Sequence, residues 1–166
     1  TTFFPFWDDA LTADPERLKN LCLAMERDLP FAPQWSATTR VTMVQPPLLA
    51  AMKRAGLVHL NFGVESGDDE TLRSIRKGIR TDQVIRALEM AKNAGLRTSC
   101  NFMFGFPRET TEALERTLRF MERIAPLVDF FSPSGVLIPM PETPVYEENH
   151  ERFGFTEWWL KEEYSH

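Results

Sequence analysis

The sequence predicts an α/β fold on a parallel sheet, open or curled into a barrel, and three observations carry that expectation. Short apolar runs alternate strictly with amphipathic helical stretches, a pattern that builds right-handed strand–helix–strand crossovers with parallel strands. The ending Ala-Gly-Leu recurs at Ala55-Gly56-Leu57 and Ala94-Gly95-Leu96, the mark of one helix-to-strand turn used twice. Polar and glycine-containing signatures follow the strand-like runs instead of preceding them, so they gather at the carboxyl edge of one sheet, where such folds place ligands.

Phe3 to Trp7 reads as the first strand and ends at Asp8-Asp9. Asp14-Pro15-Glu16 opens a helix with an N-cap Asp, Pro at the first helical position and an early acid; Leu18, Leu21, Cys22 and Met25 form its apolar stripe. Trp35 to Val41 is the second strand. Pro46-Pro47 begins a helix through Leu48, Leu49, Met52 and Ala55 that stops at Gly56, and Val58 to Val64 is a third strand closing on Glu65-Ser66-Gly67. Leu72 and Ile75 lie in a helical stretch ending at Gly78; Thr81-Asp82 starts another, with Val84, Ile85, Leu88 and Ala91 inward, that ends at Gly95. Thr98 to Phe104 is the fourth strand, terminated by Gly105-Phe106-Pro107, and Thr110 or Thr111 caps a helix carrying Leu114, Leu118, Met121 and Ile124. A fifth extended region takes in Val128 to Phe131 and Val136 to Ile138, before a proline-rich stretch from Pro139 to Pro144. Phe153 to Tyr164 reads as a last helix. No linker or repeat divides the chain, so a single domain over residues 1–166 is expected.

Composition excludes several classes. With 43% hydrophobic and 11% aromatic residues the chain exceeds what disordered sequences carry, and no apolar run approaches the roughly 20 residues of a membrane span. A net charge of -5 without clustered Lys and Arg argues against nucleic acid as a partner. Cys22 and Cys100 are the only cysteines and stand far apart, which leaves neither a disulfide framework nor a Cys-x-x-Cys clip and points to a reduced, cytoplasmic setting. His59, His150 and His166 are scattered without zinc-ligand spacing, and His59 inside a strand reads as a core or interface residue. Neither phosphate-cradling glycine loop is present, and there is no serine hydrolase elbow. The chain starts with Thr and with a fully apolar strand, as expected of a piece cut from something longer.

Each strand ending has two readings. Asp8-Asp9 either caps its loop or faces a ligand. Glu65 accepts bonds from a ribose or an ammonium, or from backbone amides. Gly105-Phe106-Pro107 brings backbone close to a ligand or simply turns the chain. Arg40 pairs a carboxylate or lies on the surface, and Lys77 contacts a ligand or satisfies a helix end.

Taken in order, these endings resemble the radical S-adenosylmethionine (SAM) superfamily. The residues are Phe6-Trp7-Asp8-Asp9, Trp35 to Arg40, Phe62-Gly63-Val64-Glu65-Ser66-Gly67 with Ile75-Arg76-Lys77-Gly78, Phe102 to Pro107 with Glu109-Thr110, and Pro139-Met140-Pro141-Glu142-Thr143-Pro144. The pattern is similar to the branch with an N-terminal cobalamin-binding domain, which includes the anaerobic magnesium-protoporphyrin monomethyl ester oxidative cyclase. The resemblance implies a partial TIM-like barrel, five βα units of a (β/α)6 core, that binds SAM beside a [4Fe-4S] cluster. It implies that Glu65 and Ser66 meet the ribose and amino acid part of SAM, Lys77 the carboxylate, and Gly105, Phe106 and Pro107 the adenine region. Leu137, Ile138 and Pro139 border that region in the same comparison. Asp8 and Asp9 stand where relatives place a motif for the amino group, although Asp-Asp departs from the commoner Gly-Gly-Glu.

The superfamily's Cys-x-x-x-Cys-x-x-Cys run is absent from this chain. The resemblance therefore implies a fragment whose cluster ligands lie elsewhere, inactive alone and without catalytic or metal residues of its own. The implied substrate is a small molecule, with a tetrapyrrole as the nearest example, and the parent is expected to bind cobalamin. An exposed edge at the first strand is expected to draw copies together. Two other readings stand beside this one. The first is a non-catalytic α/β domain that binds a ligand or partner. The second is a metal-assisted enzyme using Asp8, Asp9 and Glu65 as oxygen ligands.

Overall fold

The computed structural model describes residues 2–8, 11–132, 135–157 and 160. Five strands lie side by side in the order of the sequence: β1 (Thr2–Pro5), β2 (Pro33–Thr39), β3 (Leu57–Glu65), β4 (Arg97–Phe104) and β5 (Phe130–Phe131). Each neighbouring pair is parallel, as the alternation of elements requires. The connections carry α1 (Pro15–Asp28), α2 (Pro46–Arg54), α3 (Asp69–Ser74) with α4 (Thr81–Asn93), and α5 (Thr111–Ile124). The chain forms two compact units, Thr1–Gly135 and Val136–His166, with a two-residue strand β6 (Gly135–Val136) at their boundary. β1 ends the strand order, and Phe3 on it is 55% exposed.

The helices begin where local chemistry starts them. Asp14 accepts a hydrogen bond from the Arg17 amide at 3.0 Å with Pro15 in the first turn, Asp68 does the same for Thr71 at 2.9 Å, and Thr110 for Ala113 at 3.2 Å. Each cap satisfies an amide that the helix itself leaves unpaired. One side of the sheet is closed by these helices. Leu60, Phe62 and Val64 of β3 and Cys100 and Phe102 of β4 are buried in one core with Leu18 and Cys22 of α1, Leu49 and Met52 of α2, and Val84 and Leu88 of α4. The alternate residues share the opposite side: Ser36 and Thr38 on β2, His59, Asn61 and Gly63 on β3, Ser99 and Asn101 on β4.

The second unit differs from its sequence reading. Its helix α6 (Pro144–Phe153) lies earlier than the expected Phe153–Tyr164 helix, half of which falls outside the described residues. Thr143 caps it, accepting from the Tyr146 amide at 3.3 Å, and Gly154 ends it in a left-handed conformation. The last proline of the proline-rich run thus occupies the first helical turn, where its missing N–H costs nothing.

Candidate functional site

The carboxyl end of β3 is held in an unusual conformation. Between Gly63 and Glu65 the pairing with β4 slips by one residue, and Glu65 takes φ 73°. Such a backbone costs a residue bearing a Cβ about 1–3 kcal/mol and persists only where the surroundings hold it. The hold comes from α5. Ser66 is fully buried, with its hydroxyl 3.0 Å from Thr117 Oγ1 and accepting from the Asp68 amide at 3.1 Å. The Gly67 amide donates to Thr117 Oγ1 at 3.1 Å. A Cβ on Gly67 would lie 2.5 Å from the Cβ of Phe120, so only glycine lets this turn press against α5. Arg116 Nε donates to Asp68 at 2.7 Å. Burial works to raise the Asp68 carboxyl, but the bonds from Arg116 and Thr71 outweigh it and hold the carboxyl below the usual range.

This anchored turn presents a charge pair. Lys77 Nζ donates to Glu65 Oε1 at 2.7 Å, and the two side chains are only 21% and 22% exposed. Gly63 leaves room for both: a Cβ there would sit 3.0 Å from Glu65 Oε1 and 3.3 Å from Lys77 Nζ. A carboxylate that accepts from hydroxyl or ammonium groups thus stands beside an ammonium that takes a carboxylate.

The end of β4 adds backbone and acceptors. Glu109 Oε2 accepts from the amides of Gly105 at 2.7 Å and Phe106 at 3.3 Å, closing a loop in which Gly105 has φ 82° and Arg108 φ 67°. Phe106 is buried and Pro107 exposed. Asn101 Oδ1, in register with Gly63, and Glu109 Oε1 are buried without hydrogen-bond partners among the described residues. Buried polar atoms are almost always paired, so two orphaned acceptors at one strand end fit a site that takes donors from a ligand. Clefts of about 450 Å³ beside Phe31, Pro33 and Gly56 and about 380 Å³ beside Val41, Arg86 and Met90 contain none of these residues.

Further down the same side of the sheet a hydrogen-bond chain crosses three strands. His59 Nε2 lies 3.0 Å from Ser99 Oγ, Ser99 donates to Asn61 Oδ1 at 2.7 Å, and Asn61 Nδ2 donates to Thr38 Oγ1 at 3.5 Å. Ser132 also donates to Asn61 Oδ1, at 3.4 Å. The ring of Phe130 stacks on His59 with centroids 5.1 Å apart and planes 16° apart.

The sequence profile of the radical SAM superfamily matches residues 12–121. The chain belongs to the radical SAM superfamily. It is 32% identical over 142 residues to an uncharacterized methyltransferase of Pyrococcus horikoshii, covering 86% of this chain and 30% of that protein. It is 30% identical over 149 residues to the anaerobic magnesium-protoporphyrin IX monomethyl ester cyclase of Cereibacter sphaeroides, covering 88% of this chain and 24% of that one. The radical SAM methyltransferase TsrM of Kitasatospora setae, solved with cobalamin and a [4Fe-4S] cluster, superposes with a TM-score of 0.78 at 19% identity over 90% of this chain and 30% of TsrM. The expected partial barrel of parallel βα units is therefore the fold. The chain spans less than a third of the length of these relatives.

Within this radical SAM chain the structure sorts the expected site residues. Glu65 and Lys77, twelve positions apart, are brought into contact, and Gly105, Phe106 and Pro107 form the loop at the neighbouring strand end. Ser66 lies within the same turn, its hydroxyl directed to Thr117 and the Asp68 amide. Arg40 is exposed at the end of β2, where its carbonyl accepts from the Met43 amide at 3.0 Å. Asp8 is exposed beyond β1, and Asp9 lies outside the described residues. Ile138 and Pro139 belong to the second unit, with Ile138 57% exposed. Sequence reasoning passes over Asn61, Ser99 and Asn101 and assigns His59 to a core or interface; the period-two alternation that sets them on one side with Glu65 is the signal that finds them.

The two cysteines do not fit an iron–sulfur cluster. Both are buried, Cys22 on α1 and Cys100 on β4. Burial, with Glu26 nearby, pushes the Cys22 thiol up to about 11, and burial alone pushes Cys100 up to about 12, whereas clusters are held by thiolates. Among the described residues no group of three His, Cys, Asp or Glu side chains is placed to hold a metal ion, so the oxygen-ligand reading finds no support there. No helix among them is long and apolar enough to cross a membrane.

Proposed function

We propose that this chain is the SAM-binding and substrate-facing part of a radical enzyme that acts on a tetrapyrrole. The observation that carries this reading is the Glu65–Lys77 pair set over Gly63 at the carboxyl edge of a parallel sheet. In this reading Lys77 takes the SAM carboxylate while keeping Glu65, since an ammonium has three donors. Glu65 and the turn through Ser66 meet the ribose and amino end, with Asp8 and Arg40 beyond the ends of β1 and β2 and Asp9 assigned to the amino group by the resemblance. The backbone of Gly105, Phe106 and Pro107 borders the adenine. SAM, reduced by one electron from a [4Fe-4S] cluster, supplies the hydrogen-abstracting chemistry. Residues other than Cys22 and Cys100 hold the cluster, and another part of the parent holds cobalamin. The tetrapyrrole assignment is supported by similarity to the magnesium-protoporphyrin ester cyclase.

Titration calorimetry with SAM tests the assignment. The chain is expected to bind, with Lys77→Ala and Glu65→Gln each weakening binding about tenfold or more while circular dichroism stays unchanged. Unaltered affinity in both variants refutes it. Anaerobic addition of iron and sulfide is expected to leave the chain without a cluster; visible absorption from one would show that these cysteines do ligate.

A further inference from the structure

We propose that His59 is an axial ligand for the metal of a tetrapyrrole lying against the polar side of the sheet. The inference rests on the tetrapyrrole reading above and names the residue that would recognise the macrocycle's metal.

Proton placement along the hydrogen-bond chain defines the state of the imidazole. Ser99 has one hydroxyl proton, and Asn61 Oδ1, 2.7 Å away, only accepts. The proton therefore lies between Ser99 and Asn61, so at the 3.0 Å contact His59 Nε2–H is the donor and Ser99 the acceptor. Nδ1 is left with its lone pair, and no described residue bonds to it. Burial and then Arg97 disfavour the imidazolium, against an opposing pull from Asp129. A neutral ring with one N–H tied to an oriented acceptor is the arrangement that metal-bound histidines use.

A lone imidazole does not retain a free divalent cation, and no three-ligand group stands among the described residues. A macrocycle changes this requirement, because it brings four nitrogens of its own and asks the protein for only an axial one. Phe130, stacked on the imidazole and 50% exposed, supplies an aromatic wall beside that position. The six steps from His59 to Glu65 span about 20 Å of strand. A ligand on His59 is thereby set well apart from the Glu65–Lys77 pair along the strand.

The test is optical titration of the chain with zinc protoporphyrin IX, metal-free protoporphyrin IX and hydroxocobalamin. Wild type is expected to red-shift the Soret band of the zinc porphyrin and to bind it more tightly than the metal-free ring. His59→Ala is expected to abolish the shift and weaken zinc porphyrin binding on the order of a hundredfold, leaving the metal-free ring within about twofold. Ser99→Ala is expected to weaken zinc porphyrin binding about tenfold, as loss of an orienting partner does, and His150→Ala to change nothing. A shift that survives His59→Ala, or equal wild-type affinity for the two porphyrins, overturns the axial role while the tetrapyrrole reading stands. A His59-dependent change with hydroxocobalamin but none with the zinc porphyrin also overturns it, assigning the face to a corrinoid. Failure to bind either porphyrin removes the tetrapyrrole reading itself and leaves the SAM assignment to its own titration.

Discussion

The two sides of β3 and β4 are built from alternate residues of the same strands, yet they carry opposite chemistry. Toward the helices stand Leu60, Phe62, Val64, Cys100 and Phe102, all at or near complete burial. On the other side stand His59, Asn61, Gly63, Ser99 and Asn101, with His59, Ser99 and Asn61 linked by hydrogen bonds and a charged pair at the strand end. Parallel sheets ordinarily have apolar residues on both faces because helices cover both. A parallel sheet with one polar side has given up core on that side, and the polar groups there are organised to meet something other than a helix. The difference teaches where stability and where binding reside in this chain.

Substitutions on the two sides are expected to separate cleanly. Phe62→Ala removes a fully buried ring and is expected to cost about 3–5 kcal/mol in urea unfolding, whereas Asn61→Ala, one residue away on the polar side, is expected to cost about 1 kcal/mol. Similar losses at both positions would show that the polar side is core after all. Gly67→Ala is expected to destabilise by about 1–3 kcal/mol, because the new methyl overlaps Phe120 and forces the turn off α5; it is also expected to weaken SAM binding, since that turn holds Glu65.

The Asp68 anchor adds an acid limb. Its carboxyl titrates lower in the fold than in the unfolded chain. Its contribution is therefore complete above the unfolded carboxylate value of about 4 and disappears as pH falls through the folded value. Asp68→Asn is expected to narrow its stability gap to wild type below about pH 4, and a gap that stays constant with pH would remove the ion pair as the anchor. The smallest expected effect is at Gly63. Gly63→Ala crowds Glu65 and Lys77 and is expected to lower SAM affinity about threefold, under 1 kcal/mol, with the urea midpoint unmoved.

Local chemistry settles local structure. The caps at Asp14 and Thr110 and the four longer strand positions follow from neighbours in sequence. The start of α6 uses the same cap-then-proline signature, Thr143-Pro144, within a run of prolines whose earlier members, Pro139 and Pro141, lie outside the helix. The fifth extended region narrows to two strands of two residues each, β5 and β6, with Val128 and Ile138 outside them. His59 shows the opposite limit. A histidine within an apolar strand reads as interior, and only the positions of Ser99 and Phe130 on neighbouring strands, with Asn61 further along its own, show it half-buried on the polar side.

By itself the sequence determined the alternation of strands and helices, the carboxyl-edge location of the motifs and the absence of a cysteine run for a cluster, since each depends on residue type and short-range spacing. Tertiary structure alone decided that Lys77 meets Glu65, that Thr117 and Arg116 of α5 hold the turn between them, and that a hydrogen-bond chain runs from β2 to Ser132, just past β5. Those contacts join residues 12 to 71 positions apart. Their partners are chosen by strand register and helix packing, which no short window of sequence contains.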